Sequence, residues 1–171
     1  MTDRAITEAS LGAWLVKASP TSLPVEELVR TGFDDITSRC VRATYRTDLV
    51  REGQPVLLWV SGNDPRHPAG IYASGHTTGP VDDAAPRPEM PVRLQPVRPA
   101  VHRKEILDHP TLSAIEVIRM PAGSNPSYLD AEQYDALRHA FPQVAADPGC
   151  VALHPALHVR APGAQHLGWN P

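Results

Sequence analysis

The sequence predicts an α+β domain, a small mixed β-barrel with flanking short helices. Three observations lead there. Short β-rich segments alternate with short helical ones along most of the chain, a pattern that suits a strand layer covered by helices. Proline supplies 19 of 171 residues, against a usual share of about 5%. Prolines interrupt helices and central strands, which excludes a bundle of long helices. The composition, 42% hydrophobic and 20% charged, is that of one ordinary folded domain rather than a disordered chain.

Residues 13–18, Ala-Trp-Leu-Val-Lys-Ala, read as the first strand, ended by Ser19-Pro20 because a proline cannot join a ladder. Residues 24–31 suit a short helix, with Pro24 in the first turn, Glu26 and Glu27 near its positive end and Gly32 beyond it. Residues 36–41 are β-branched enough for a second strand. Residues 45–52 suit a short helix closed by Gly53. The continuously apolar run 55–61 is the strongest strand signal, and such a run predicts burial of both faces. A turn follows at Gly62-Asn63-Asp64-Pro65.

Residues 69–78 read as a strand bent at Gly75. Residues 82–90 read as a surface loop. In residues 91–99, Val92, Leu94 and Val97 are interspersed with arginines and prolines, which predicts an edge strand. Residues 102–108 and 111–117 suggest helical turns, and Ile118-Arg119-Met120 a short strand. Asp130 is the cap of a last helix, 131–140, in which Tyr134 and Leu137 share a face. Residues 143–171 read as an irregular proline-rich tail on a domain of residues 1–142.

Charge and cysteine narrow the chemistry. The net charge of −3 excludes a bulk polycation that holds nucleic acid by net charge. Lys17 and Lys104 are the only lysines among 16 Lys and Arg residues. The bland explanation is the codon usage of a GC-rich bacterial genome. The functional one is the guanidinium fork, which suits phosphates and stacks on bases. Arg39, Arg42, Arg46 and Arg51 form one basic stretch; Arg87, Arg93, Arg98, Arg103 and Lys104 form another. Together they allow a local basic face on an acidic chain. Two cysteines, Cys40 and Cys150, make no disulfide framework. No apolar run approaches a membrane-spanning length, and the polar start opens no signal peptide. The expectation is a cytoplasmic protein with no membrane partner.

Signals for catalysis are weak. No phosphate loop, dinucleotide fingerprint or nucleophile elbow occurs. Ser61 follows a buried strand as nucleophiles do, yet no neighbouring residue supplies a base. His154 and His158 are four apart, with Pro155 between them and no ligand set to complete. No metal or cofactor is expected. Trp14 and Trp59 lie in apolar strands and read as core. Tyr45 differs because it lies among arginines.

Five segments, taken in order, carry a resemblance. Trp14-Leu15-Val16-Lys17-Ala18-Ser19-Pro20 resembles the opening strand of the EVE domain family. Val41-Arg42-Ala43-Thr44-Tyr45-Arg46 resembles its Val-Arg-Asn-Tyr segment, residues 55–62 its strand ending in a polar pair, and residues 70–75 its Gly-Ile strand. Asn125-Pro126 with Leu129, Glu132 and Tyr134 resembles its closing helix. No single motif is strong, but the ordered set covers roughly residues 13–138.

The resemblance implies a fold of the PUA type, related to the YTH readers of methylated RNA. It also implies a pocket for one modified base of DNA or RNA. A methyl adds apolar surface worth about 0.8 kcal/mol when buried, while polar groups read the base edge and arginines hold flanking phosphates. Carried over by position, the base pocket falls to Lys17, Ser19, Ser38, Arg39, Cys40, Tyr45, Ser61, Asn63, Met120 and Asn125. Phosphate contacts fall to Arg42, Arg46, Arg93 and Arg98. The sequence departs from the family where Arg39-Cys40 stand in place of a frequent tryptophan, and Ala43 in place of asparagine. An altered cage, another ligand and a lost pocket all fit that departure.

The expected function is therefore non-catalytic binding of a modified, methylated base. Two alternatives stand beside it. One is a small enzyme acting on a nucleotide or modified base. The other is an accessory domain for protein interaction whose pocket is closed.

Overall fold

A computed structural model describes residues 5–145. The strands are β1 (Leu11–Ala18), β2 (Ser38–Cys40), β3 (Pro55–Val60), β4 (Gly70–Thr77), β5 (Glu89–His102) and β6 (Ser127–Asp130). The helices are α1 (Val25–Thr31), α2 (Arg103–Leu107), α3 (Glu116–Arg119) and α4 (Ala131–Ala140). The strands form one curled half-barrel sheet in the order β2-β5-β4-β3-β1-β6. β1 and β3 are parallel, with Trp14 opposite Val56 and Ala18 opposite Val60; the other pairs are antiparallel.

The apolar runs of β1 and β3 are explained by burial on both faces. Trp14, Val16, Val56, Leu58 and Val60 pack inside the curl with Leu28 and Phe33. The alternate residues Leu15, Leu57 and Trp59 pack outward under Ile106, Leu112, Ile115 and Leu137. Trp14 and Trp59 are both core, with Trp14 fully buried and its indole Nε1 donating to Gln54 Oε1 at 2.7 Å.

β5 is longer than the sequence suggests and is not simply an edge strand. It lies between β4 and β2, but β2 reaches only as far as Pro91. Pro96 and Pro99 therefore fall where no outer strand needs their missing N–H. A pairing irregularity opposite Ile71 and Ala73 changes which residues face inward. Leu94 belongs to the inner core, whereas Val97 and Val101 belong to the outer one.

Other differences have local causes. Residues 118–120 are not a strand, because α3 runs through Arg119 and Met120 N–H closes it onto Glu116 O at 2.7 Å. The helix expected over 45–52 is a single 3-10 turn, Thr47–Leu49. The loop at 82–90 is tied by Asp82 and Glu89, whose backbones exchange hydrogen bonds of 2.8 and 3.1 Å. β6 was not expected and covers the outer edge of β1. α4 keeps its expected span: Asp130 accepts from Gln133 N–H at 2.8 Å, and Gln133 Oε1 accepts from Asp130 N–H at 3.1 Å. Val144 is buried against the outer core, so the packed unit runs slightly past residue 142. The rest of the proline-rich tail, from residue 146 on, lies outside the described residues.

Candidate functional site

Asn125 is the residue on which the sheet's two edges meet. It stands just before β6, and its side chain reaches both neighbours. Its Oδ1 accepts from Lys17 N–H at 2.9 Å, and its Nδ2 donates to Cys40 O at 2.8 Å. Arg42 N–H donates to Asn125 O at 2.6 Å. The segment leaving β2 is thereby joined to β1 and to the start of β6. The Asn125-Pro126 peptide is cis.

Replacing Asn125 with alanine removes both side-chain bonds and leaves the half-buried Lys17 amide without its acceptor, while the Cys40 carbonyl, at an exposed position, turns to water. The expected loss is about 1–3 kcal/mol, measured by urea denaturation. Faster amide exchange is expected at Lys17. Unchanged stability and exchange would show that the edges hold without it.

Lys17 holds the 120–126 loop rather than pointing a free ammonium outward. Its Nζ donates to Pro121 O at 3.2 Å and also to Gly123 O. Burial pushes its pKa below the ordinary lysine range; nearby Glu116 opposes that shift and Arg46 adds to it.

Behind this junction lies a buried ionic network. Arg46 donates to Glu116 through Nη1 at 2.9 Å and Nη2 at 2.7 Å, and through Nη1 to Pro126 O at 3.3 Å. Ser127 Oγ donates to the same carboxylate at 2.6 Å. The guanidinium carbon lies 4.8 Å from the Tyr128 ring centre and 5.9 Å from that of Tyr45. Burial works against the Arg46 charge, but the Glu116 hydrogen bonds hold its pKa above the ordinary arginine value.

The expected site residues thus divide. Lys17, Cys40, Arg42 and Asn125 are in direct contact at the edge junction. Tyr45 and Arg46 adjoin it through the ionic network, and Met120 belongs to the loop that Lys17 holds. Tyr45 and Met120 are each 49% exposed, unusual for large apolar side chains. Arg42 and Cys40 are exposed as well. Arg46 instead turns its donors inward.

On β2, Ser38 Oγ donates to Glu89 at 2.6 Å. Arg39 pairs with the buried Met90 across the ladder. The Arg39 Nε is sealed from solvent without an acceptor, a costly state for a donor.

Ser19, Ser61 and Asn63 gather at the shared end of β1 and β3, where Ser61 N–H donates to Ala18 O at 2.8 Å. Gly62 makes that turn with φ of 125°, and Pro20 lies against it. Ser19 Oγ is engaged locally with Thr21 and Ser22. Among the described residues, no histidine or carboxylate is hydrogen-bonded to Ser61.

Arg93 and Arg98 stand apart from the junction. Arg93 is exposed on β5 opposite His76, and Arg98 donates to Val29 O at 2.9 Å beside α1. Sequence reading missed Glu116, Ser127 and Tyr128. Arg46 and Glu116 are 70 residues apart, so no local spacing announces the pair.

Two open clefts flank the 61–68 turn. One, about 670 Å3, lies between Pro20, Glu26, Arg30, Asp64, Arg66 and His67. The other, about 460 Å3, includes Asn63, His102, Arg103 and Lys104. Among the described residues, no group of three or more His, Cys, Asp or Glu side chains gathers to hold a metal. No described helix is long and apolar enough to cross a membrane.

No family model matches the chain, and no curated protein matches its sequence. Solved structures share the fold. A structural-genomics target from Rhodopseudomonas palustris is 13% identical with a TM-score of 0.58, over 77% of this chain and 94% of its own. A hypothetical protein from Leishmania major is 15% identical with a TM-score of 0.58, over 80% and 99%. A protein from Pseudomonas syringae is 15% identical with a TM-score of 0.53, over 74% and 97%. At these identities the likeness concerns the fold alone.

Proposed function

We propose that the protein is a PUA-like domain of the EVE type that binds one modified base of DNA or RNA and catalyses no reaction. One observation carries the reading. Lys17, Cys40, Arg42 and Asn125, up to 108 positions apart in the chain, meet next to the Arg46 network whose guanidinium lies 5.9 Å from the exposed Tyr45 ring. These are positions at which the ordered resemblance to EVE domains falls. A planar ring, strand-end polar groups and an exposed arginine are what an extruded base and its phosphate require.

Arg39 shapes the ligand expected there. Its guanidinium stands where EVE domains often carry a tryptophan, so a ligand there would meet a charged plane that favours an acceptor-bearing substituent over a bare methyl. The cytoplasm, with no membrane partner, is the compartment that suits this role.

The test is titration with short oligonucleotides, each carrying one modified base, at low and moderate salt. One modified oligonucleotide is expected to bind at least about 10-fold more tightly than its unmodified form. Tyr45→Ala is expected to weaken that complex by about 1–3 kcal/mol, the usual worth of a base–aromatic stack. Equal and negligible binding to every oligonucleotide would overturn the reading.

A further inference from the structure

We propose that the groove between the 62–69 turn and the end of β5 is a phosphate site that takes the sugar–phosphate backbone of a single-stranded nucleic acid. This rests on the base-binding reading above and extends it to the flanking strand. The groove holds about 460 Å3, and Arg103 and Lys104 line it side by side, next to His102. Both cations are exposed, and neither pairs with an acid among the described residues.

The nearby acids are already occupied. Asp64, the one carboxylate lining the groove, receives Arg66 Nε at 3.3 Å, Nη2 at 3.1 Å and the Arg66 backbone N–H at 2.9 Å. Those hydrogen bonds hold its pKa below the ordinary carboxylate value. Glu105 folds back to accept from the His102 N–H at 2.9 Å. Among the described residues, Arg103 and Lys104 remain as the unpaired cations facing the groove. Pro65, Pro68 and Ala69 supply apolar walls against which sugar rings can lie.

The backbone fixes the cations in place. Arg103 N–H donates to Ala69 O at 2.7 Å, and His102 is in register with Gly70. Across the same end of the sheet, Ala18 registers with Val60 and Val60 with Gly70. The groove therefore stands three strand spacings from the end of β1, roughly 15 Å. A bound strand of a few nucleotides spans that distance. Asn63, in the cluster at the shared end of β1 and β3, also lines the groove.

The experiment compares the wild-type chain with the double variant Arg103→Gln, Lys104→Gln. Single-stranded oligonucleotides carrying the preferred base are titrated over a salt series. Losing two phosphate contacts is expected to flatten the slope of log affinity against log salt by about 1.4. The ratio of modified to unmodified affinity should stay unchanged, and so should the thermal midpoint, since both side chains are exposed. An unchanged slope in a variant that still binds would overturn the groove while leaving the base-binding reading intact.

A second arm titrates inorganic pyrophosphate and follows amide NMR shifts. Shifts at Asn63, Ala69, Arg103 and Lys104 that vanish in the double variant support the phosphate site. If the wild-type chain binds no oligonucleotide, the base-binding reading falls and this arm decides the groove alone. Absence of those shifts would then overturn it.

Discussion

Replacing Glu116 with alanine is expected to cost about 3–5 kcal/mol of folding stability, the usual penalty for breaking a buried pair by removing one partner. The Glu116 and Arg46 side chains are 7% and 14% exposed. Without the carboxylate, the guanidinium stays in a place where burial already opposes its charge. Ser127 Oγ, buried in β6, loses its acceptor at the same stroke. Chemical denaturation measures the effect.

A second variant separates the pair from the packing. Arg46→Met combined with Glu116→Leu removes both charges and is expected to recover most of the loss, because apolar side chains of similar size can replace a buried pair. A loss below about 1 kcal/mol for the single variant would mean that the network behaves as a solvated surface pair. The expected consequence for function is indirect. Arg46 packs against the Tyr45 and Tyr128 rings, so the exposed tyrosine loses its backing when the network fails.

Gly75→Ala is expected to cost about 3 kcal/mol, at the upper end of overpacking penalties. Gly75 sits opposite Leu94 in the β4–β5 ladder. A Cβ placed there would stand 1.8 Å from Arg93 O, and backbone cannot step aside as a flexible side chain can. The two strands must separate, which loosens the inner core around Leu94. Gly79→Ala is the control: its Cβ would meet only a Pro91 ring atom at 3.7 Å, so a change within about 0.5 kcal/mol is expected. Thermal unfolding of the two variants distinguishes them. Similar stability for both would show that the ladder yields at Gly75.

Local signals explain why some elements were readable. β3 announces itself by an apolar run that both faces of the sheet require, and α4 by a cap that its own residues complete. The bend expected at Gly75 is a place where two backbones come close. Long-range signals were hidden. Ile118-Arg119-Met120 reads as a strand, but the helical turn expected just before it carries on through Arg119 and packs onto the outer face with Leu112 and Ile115. β6 is four residues long and exists because β1 offers an edge.

The site follows the same division. Tyr45 stood out among arginines, and its exposure fits that reading. The roles of Lys17 and Arg46 were not legible, because the atoms that engage them lie at Pro121, Gly123 and Glu116, far along the chain. Arg93 and Arg98 share a basic stretch with Arg103 and Lys104, yet the bulged course of β5 sends them to different surfaces.

The junction made by Asn125 also sets the order in which the chain can be completed during synthesis. Cys40 and Asn125 are separated by 85 residues, so β2 waits for most of the domain before its end is secured. Until β6 emerges, the outer edge of β1 has no strand to cover it, and an uncovered apolar edge invites pairing with other chains. A ribosome-bound fragment ending before Asn125 would thus carry most of the sheet but neither its closure nor the junction that Asn125 makes. Closure of the sheet and escape from aggregation would arrive together, with the same few residues.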